Sequence, residues 1–394
     1  MKRLDKKIFG ILFFSIFTAV TGVGIVVPLL PVYAHDLGAK GIYIGLLFAS
    51  FSLSRTFFLP FFGRRSDRCG RKPLIVSGLF CYGLISFAFI AAANVELLIA
   101  IRFVQGIASA MIMPATQAYV GDITPENREG FTMGLFNMST FIGLSLGPFL
   151  GGLLNDHFSL DAAFVSMGVL SFIGFFLSLL MLPPAATEQV IVRREAPVAF
   201  RTLLKDPYVE AIFVFRMAYT ACIGAIWGFL PVFADAEFSL SSSSIGILVM
   251  LGIFTSGILQ TPMGIIADRW NKRLMILLGG GIVAYSMVLF QWSWGFWDLL
   301  TASVVFGIGG SMGMAPLMAV TVQKGARIRG MGAMMSLVTV AHSLGMMLGS
   351  LLAGIMMDLV EMRYVFTSSG GVMALGTVVF FVRTLERKKR EVSD

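Results

Sequence analysis

This chain is short of charge. Only 13% of its 394 residues are Asp, Glu, Lys or Arg, while 57% are apolar and the mean hydropathy is +0.84. Soluble globular domains carry about 25% charged residues, so most of this surface does not face water. Cysteine is scarce too: Cys69, Cys81 and Cys222 are too few and too scattered for a disulfide framework or a metal site. The sequence has no Gly-x-x-x-x-Gly-Lys-Ser/Thr loop and no cluster of Cys and His. That argues against ATP-driven work, against a bound metal or other cofactor, and against an enzyme. Acid is missing where it would matter most. Residues 8–33 hold no Asp or Glu, and Glu96, Glu210, Asp235 and Glu237 fall near the ends of apolar stretches.

Grease and glycine are abundant, with 36 Phe, 24 Met and 43 Gly. A helix needs about 20 apolar residues to cross a bilayer. Twelve stretches qualify: 8–33, 41–62, 73–93, 96–120, 130–153, 161–182, 207–234, 242–266, 274–292, 297–322, 330–357 and 363–383. Of the 30 Lys and Arg, 25 lie in the N-terminal tail, the alternate loops and the stretch from Arg383 onward. The opposite side has only Lys40 and Arg363, and Arg55, Arg102 and Arg216 lie inside spans. By the positive-inside rule, both termini are cytoplasmic and the number of spans is even. The net charge of +8 is therefore a topology signal, not a nucleic-acid patch. The basic start could imitate a signal peptide, but its apolar run of about 25 residues exceeds a signal core, so it reads as span 1.

Residues 183–206 form the one long polar interruption, a cytoplasmic linker between residues 1–182 and 207–394 with six spans each. The halves repeat at offsets of 200 to 202 residues: Pro31-Val-Tyr-Ala with Pro231-Val-Phe-Ala, Gly45 with Gly246, Gly63 with Gly264, Asp67 with Asp268, Gly106 with Gly307, Pro114 with Pro316, and Gly147 with Gly349. Because six is even, both halves enter the membrane in the same sense, as parallel repeats do. The expected fold is an all-α polytopic membrane protein: two six-helix bundles related by a pseudo-twofold axis, with a solute site near the midplane between them.

Three segments carry more than hydropathy. Gly63-Arg-Arg-Ser-Asp67-Arg68-Cys-Gly70-Arg71-Lys72 reads as a tight charged loop, repeated in part by Gly264, Asp268 and Arg269, with Asn271 at the place of the later glycine. Gly63 and Gly70 would permit the turn and close packing, Asp67 could face a helix N-terminus, and Arg71 would pair with Asp122. The plainer reading is cytoplasmic charge that sets topology. In span 5, Gly143, Gly147, Gly151 and Gly152 make a small-residue ridge, and Pro148 removes an amide and kinks the helix. That ridge is either ordinary close packing or a bendable helix at the interface between the halves. Span 4 contains Arg102-Phe-Val-Gln105-Gly106.

In this order the three segments resemble the signatures of the major facilitator superfamily, and within it the bacterial drug:proton antiporters with twelve spans. The resemblance covers essentially the whole chain. It implies a latch at residues 63–72, a span 4 arginine linked to proton coupling, and export rather than uptake. The chain departs from many cation-exporting relatives in having no carboxylate in span 1, which points toward an anionic or zwitterionic cargo.

Several residues are candidates for the substrate or proton pathway. Arg102, Gln105, Ser109, Met113 and Gln117 fall within about 60° of one direction on span 4. An arginine facing lipid is costly, so this face points to a cavity or to another helix. Arg102 is then either a hydrogen-bonding hub tied to span 1 carbonyls or a group that senses protonation or contacts an anion. Arg216, Thr220 and Trp227 share a face of span 7. Arg55 can snorkel toward the cytoplasm or join the pathway. His342 is either a packed polar side chain or a proton-coupling group, since histidine titrates near physiological pH. Asn137, Gln260 and Gln323 are uncharged candidates, the last at the cytoplasmic rim. The expectation is a monomeric secondary transporter of a bacterial inner membrane, exporting small amphipathic solutes in exchange for protons. The alternatives are an exporter or flippase of an anionic metabolite, sugar or lipid, and a non-transporting membrane sensor.

Overall fold

The computed structural model describes residues 5–124, 129–183, 200–327 and 331–393, and the side chains of 67, 129–131, 200, 201, 331, 332 and 386–393 lie outside that description. Among the described residues, twelve helices are long and apolar enough to cross a membrane. They are span 1 (Lys6–Asp36), span 2 (Gly41–Cys69), span 3 (Arg71–Ile90), span 4 (Val95–Ile123), span 5 (Glu129–His157) and span 6 (Leu160–Met181). Then follow span 7 (Pro207–Phe238), span 8 (Ser242–Arg269), span 9 (Lys272–Gln291), span 10 (Phe296–Arg327), span 11 (Met331–Leu359) and span 12 (Tyr364–Ser393). Every expected stretch falls on one of them.

The charged segments 63–72 and 264–273 differ from expectation. They are not loops: span 2 stays helical to Cys69 and span 8 to Arg269. Charged side chains are tolerated on a helix end that reaches water, so the apolar run ends before the helix does. Gly70, at φ 87°, makes the break after span 2, a conformation that costs glycine little. Asn271 sits at φ −69° and accepts from the amides of Arg273 and Leu274, capping span 9. The second copy therefore turns by a side-chain cap instead of a left-handed glycine. Of the expected linker, residues 184–199 lie outside the described residues; at its near edge Tyr119 donates to the Pro183 carbonyl at 2.8 Å.

The chain divides into two compact units. Unit 1 holds Met1–Ala39, Ser50–Val190 and Ser239–Met250; unit 2 holds Lys40–Ala49, Ile191–Phe238 and Leu251–Asp394. This differs from a simple cut at the linker in two short segments, the starts of spans 2 and 8. Their local chemistry explains the difference. In unit 2, the Asp358 carboxylate accepts from the Gly41 amide at 2.6 Å and the Ile42 amide at 2.9 Å. In unit 1, Asp156 accepts from Ser242 at 3.0 Å and Ser243 at 2.8 Å. Each acid satisfies amides that a helix start leaves open and sits at the positive end of the dipole, worth about 0.3–1 kcal/mol.

Within unit 1, span 1 packs on spans 5 and 6, and span 3 on spans 4 and 6; within unit 2, span 7 packs on spans 11 and 12, and span 9 on spans 10 and 12. Glycine sets the closest approaches. A Cβ on Gly147 would lie 2.5 Å from Gly24 Cα, Gly143 abuts Thr21, and Gly151 abuts the Ile25 backbone. Gly143, Gly147 and Gly151 are thus the surface that receives span 1, while Gly152 abuts the Ser242 backbone at the start of span 8. In unit 2, Gly345 abuts Thr220 and Gly349 abuts Ala221, so span 11 receives span 7 in the same way. By contrast, among the described residues a Cβ on Gly63 or on Gly264 would meet no heavy atom within 4 Å, so no close packing at Gly63 is seen there. Trp270, Trp292, Trp294 and Trp297 are exposed at span ends, where indole rings anchor helices at the bilayer boundary; Trp227 is half-buried.

Candidate functional site

In unit 1 the polar centre is on span 4. Arg102 is 3% exposed and Gln105 fully buried. One turn separates them, so Arg102 Nη1 donates to Gln105 Oε1 at 2.7 Å. The guanidinium also lies 4.6 Å over the Phe51 ring of span 2, and Gln105 Nε2 reaches the Met167 sulfur at 3.9 Å. Nearby Tyr82, which feels both Arg102 and Arg55, keeps a buried hydroxyl with no partner among the described residues. Arg55 is half-buried. Further along span 4, Ser109 and Met113 are half-buried and Gln117 is exposed.

Unit 2 has a pocket. A cavity of about 190 Å³ is lined by Arg216, Met318, Met335, Val338, Thr339 and His342. Arg216 Nη1 donates to the Met314 sulfur at 2.9 Å, and Nη2 lies 3.3 Å from His342 Nδ1. The buried Arg216 Nε has no partner among the described residues. A thioether is a weak acceptor and a neutral imidazole a single one, so this half-buried cation is thinly satisfied. Thr220 does not join the lining. Its hydroxyl donates back to the Arg216 and Met217 carbonyls at 3.0 and 3.1 Å and approaches Ala341 of span 11 at 3.4 Å. It is a packing residue of the span 7–span 11 contact.

The charged segments are ordered by pairs. Arg71 Nε donates to Asp122 Oδ2 at 3.2 Å and Nη1 to Ser66 at 2.7 Å, the pairing the sequence suggested. Arg273, at the equivalent place in the second half, instead donates to the Phe381 carbonyl at 3.0 Å and lies 5.1 Å over its ring. At the offset of 202 shared by Pro114 and Pro316, Lys324 stands where Asp122 stands in the first half, so no acid is offered to Arg273 from that place. The Asp67 side chain lies outside the described residues, and Arg68, Asp268 and Arg269 are exposed. At the start of span 7, partial burial pushes the Asp206 carboxyl up, but the Lys324 ammonium and the Tyr208 and Val209 amides outweigh it and hold it below the usual carboxylate range.

Asn137, Gln260 and Gln323 are exposed on spans 5, 8 and 10. Sequence reasoning missed the methionines around Arg216 and the Asp156 and Asp358 caps. The methionines carry no signal among 24 of their kind. The two acids do, because they are 202 residues apart, in register with Gly147 and Gly349.

Comparison with known proteins agrees with this architecture. The family model of the Major Facilitator Superfamily matches residues 12–235 and 212–394. An uncharacterised MFS-type transporter of Methanocaldococcus jannaschii is 27% identical over 387 residues, covering 97% of this chain and 99% of that protein. The quinolone resistance protein NorA of Staphylococcus aureus is 26% identical over 400 residues, covering 99% of this chain and all of NorA. Among solved structures, a bacterial homologue of the human lysosomal transporter Spinster superposes with a TM-score of 0.82 at 12% identity, covering 98% of this chain and 97% of that one. A twelve-span helical chain whose two halves carry the same packing, matched end to end by transporters, belongs to the Major Facilitator Superfamily.

Proposed function

We propose that this protein exports small amphipathic molecules by alternating access in exchange for protons, from a bacterial inner membrane with both termini in the cytoplasm. The observation that carries the reading is the full-length similarity to a quinolone resistance protein. The methionine-walled cavity fits an amphipathic cargo, since Met side chains adapt to irregular apolar shapes. In this reading Arg71 and Asp122 steady the cytoplasmic end of span 2, and Asp67 forms the latch there. The test is ethidium flux in proteoliposomes under an imposed proton gradient. Outward-equivalent ethidium movement that stops when the gradient is collapsed supports the proposal; gradient-independent flux removes proton exchange, and absence of flux for any solute tried favours a sensor on the same fold.

A second reading keeps the fold and changes the cargo to an anionic metabolite, sugar or lipid head group. Arg216 favours it, because its described partners are a thioether and an imidazole and, among the described residues, no carboxylate lines its cavity.

A further inference from the structure

Arg216 and His342 face one cavity, and the geometry constrains what each protonation state of His342 can do there. The Arg216 guanidinium, half-buried with its Nε enclosed, keeps its charge and is costly without compensation. Its contacts are the Met314 sulfur, His342 Nδ1 and, at Nε, nothing among the described residues. With Nδ1 only 3.3 Å from Nη2, the imidazole compensates Arg216 as an acceptor only while Nδ1 carries no proton. Once His342 is protonated, Nδ1 becomes a donor, and two donors and two positive charges meet across the same gap. That arrangement needs an anion between them.

Other charges on the neighbouring elements are already committed or distant. On span 7, Tyr219 stacks on Phe306 and Glu210 binds Arg383 of span 12. On span 10, Lys324 is paired with Asp206. On span 11, Asp358 holds the Gly41 and Ile42 amides at the opposite end of the helix from His342. The start of span 2 brings Lys40 and Tyr43 to that same far end, and the side chain of Arg201 in the turn before span 7 lies outside the described residues.

We propose that the Arg216–His342 cavity is a subsite for a small organic anion, loaded together with a proton. A carboxylate bridges the guanidinium and the protonated imidazole, with charge-assisted hydrogen bonds to both. Met318, Met335 and Val338 receive the apolar body, and Thr339 completes the wall with its hydroxyl donated to the Met335 carbonyl at 2.9 Å. The inference rests on the transporter reading, narrows its cargo, and for that cargo replaces proton exchange with proton co-movement. It also fixes a sign: acid tightens anion binding and loosens cation binding, so at this subsite anion and proton travel in the same direction.

The experiment uses the full chain in nanodiscs and two probes with the same aromatic body, 1-naphthoate and 1-naphthylmethylammonium, by equilibrium dialysis at about pH 5.5 and about pH 7.5, on either side of the ordinary histidine range. Naphthoate is expected to bind about tenfold more tightly at the lower pH, an ordinary coupling for two interacting sites. His342→Gln should reduce that ratio to below about twofold, and Arg216→Gln should weaken naphthoate about tenfold at both pH values. Arg216→Lys, which keeps the charge, should retain the pH dependence and so controls for misfolding. Three results overturn the subsite: naphthoate affinity that ignores pH, a pH effect that survives His342→Gln, or naphthoate binding no tighter than the ammonium probe. The parallel proteoliposome assay separates the two readings. Naphthoate binding without flux of any solute removes the transporter reading and leaves the subsite, whereas ethidium flux without naphthoate binding does the reverse.

Discussion

Arg102 and Arg216 both lie within the spans, the first buried and the second half-buried, and their surroundings treat them differently. Arg102 has a neutral acceptor one turn away and an aromatic face beside it, the arrangement of a structural hub. Gln105→Leu should therefore leave a buried cation short of an acceptor, at a cost of about 1–3 kcal/mol. That exceeds the average of about 0.6 kcal/mol for interhelical side-chain hydrogen bonds in membranes. The double variant Arg102→Met/Gln105→Leu should recover most of the loss, because replacing the charge together with its partner removes the unmet need. Thermal unfolding of the detergent-solubilised protein reads both, and a single variant as stable as wild type would refute the hub. At this scale the sequence was partly legible. Arg102 and Gln105 sit on one helix three residues apart, so their meeting follows from helix geometry. Arg216 and His342 each stood out as polar groups inside apolar spans, but they meet across 126 residues, and no local periodicity encodes which spans touch. Thr220 shows the converse failure: it shares a helical face with Arg216 and still points its hydroxyl into its own backbone.

Between elements, glycine decides contact only where backbone stands opposite. Gly147 faces the Gly24 Cα and carbonyl carbon, which cannot retreat as a side chain end can. Gly147→Ala should push span 5 off span 1 and cost about 1–3 kcal/mol, the range for overpacking. Gly63→Ala is the contrast: with open space around it among the described residues and helical backbone on both sides, it should be neutral or stabilise by up to about 1 kcal/mol through helix propensity. Thermal shifts of the two purified variants check this pair, and equal destabilisation would show that the Gly63 region is packed in a way the geometry does not reveal. The ridge itself was readable from the repeat, since small residues recur at helical spacing. What it packs on was not, because a ridge on one helix does not name the groove that receives it. The charged ends of spans 2 and 8 were read as loops for a related reason: hydropathy tracks the membrane, while helix length follows backbone hydrogen bonding and stops only at Gly70 and at the Trp270–Asn271 turn.

For the whole molecule, the two units and the charge bias make one statement about topology. The basic residues crowd one side, and Cys69, which is exposed at the end of span 2, should lie on that side. A variant keeping Cys69 alone, with Cys81→Ser and Cys222→Ala, should react with a membrane-impermeant maleimide in inside-out vesicles and not in intact cells. Reaction from outside would reverse the orientation and the export assignment with it. Twelve spans, their order and the duplication were all legible, because bilayer thickness imposes a length that composition alone reveals. The exchange of the starts of spans 2 and 8 between units was not, since it depends on Asp156 and Asp358 reaching amides far along the chain.

The tryptophans bear on how this protein can be watched. Four of the five indoles are at helix ends, from 63% exposed at Trp270 to 79% at Trp294, and Trp227 alone lies inside a span. Intrinsic emission is thus dominated by lamps placed along the water–lipid seam. Quenching seen when a greasy compound is added reports partition into the bilayer, and a chain in which the four rim indoles are replaced by phenylalanine would leave Trp227 as the single interior light.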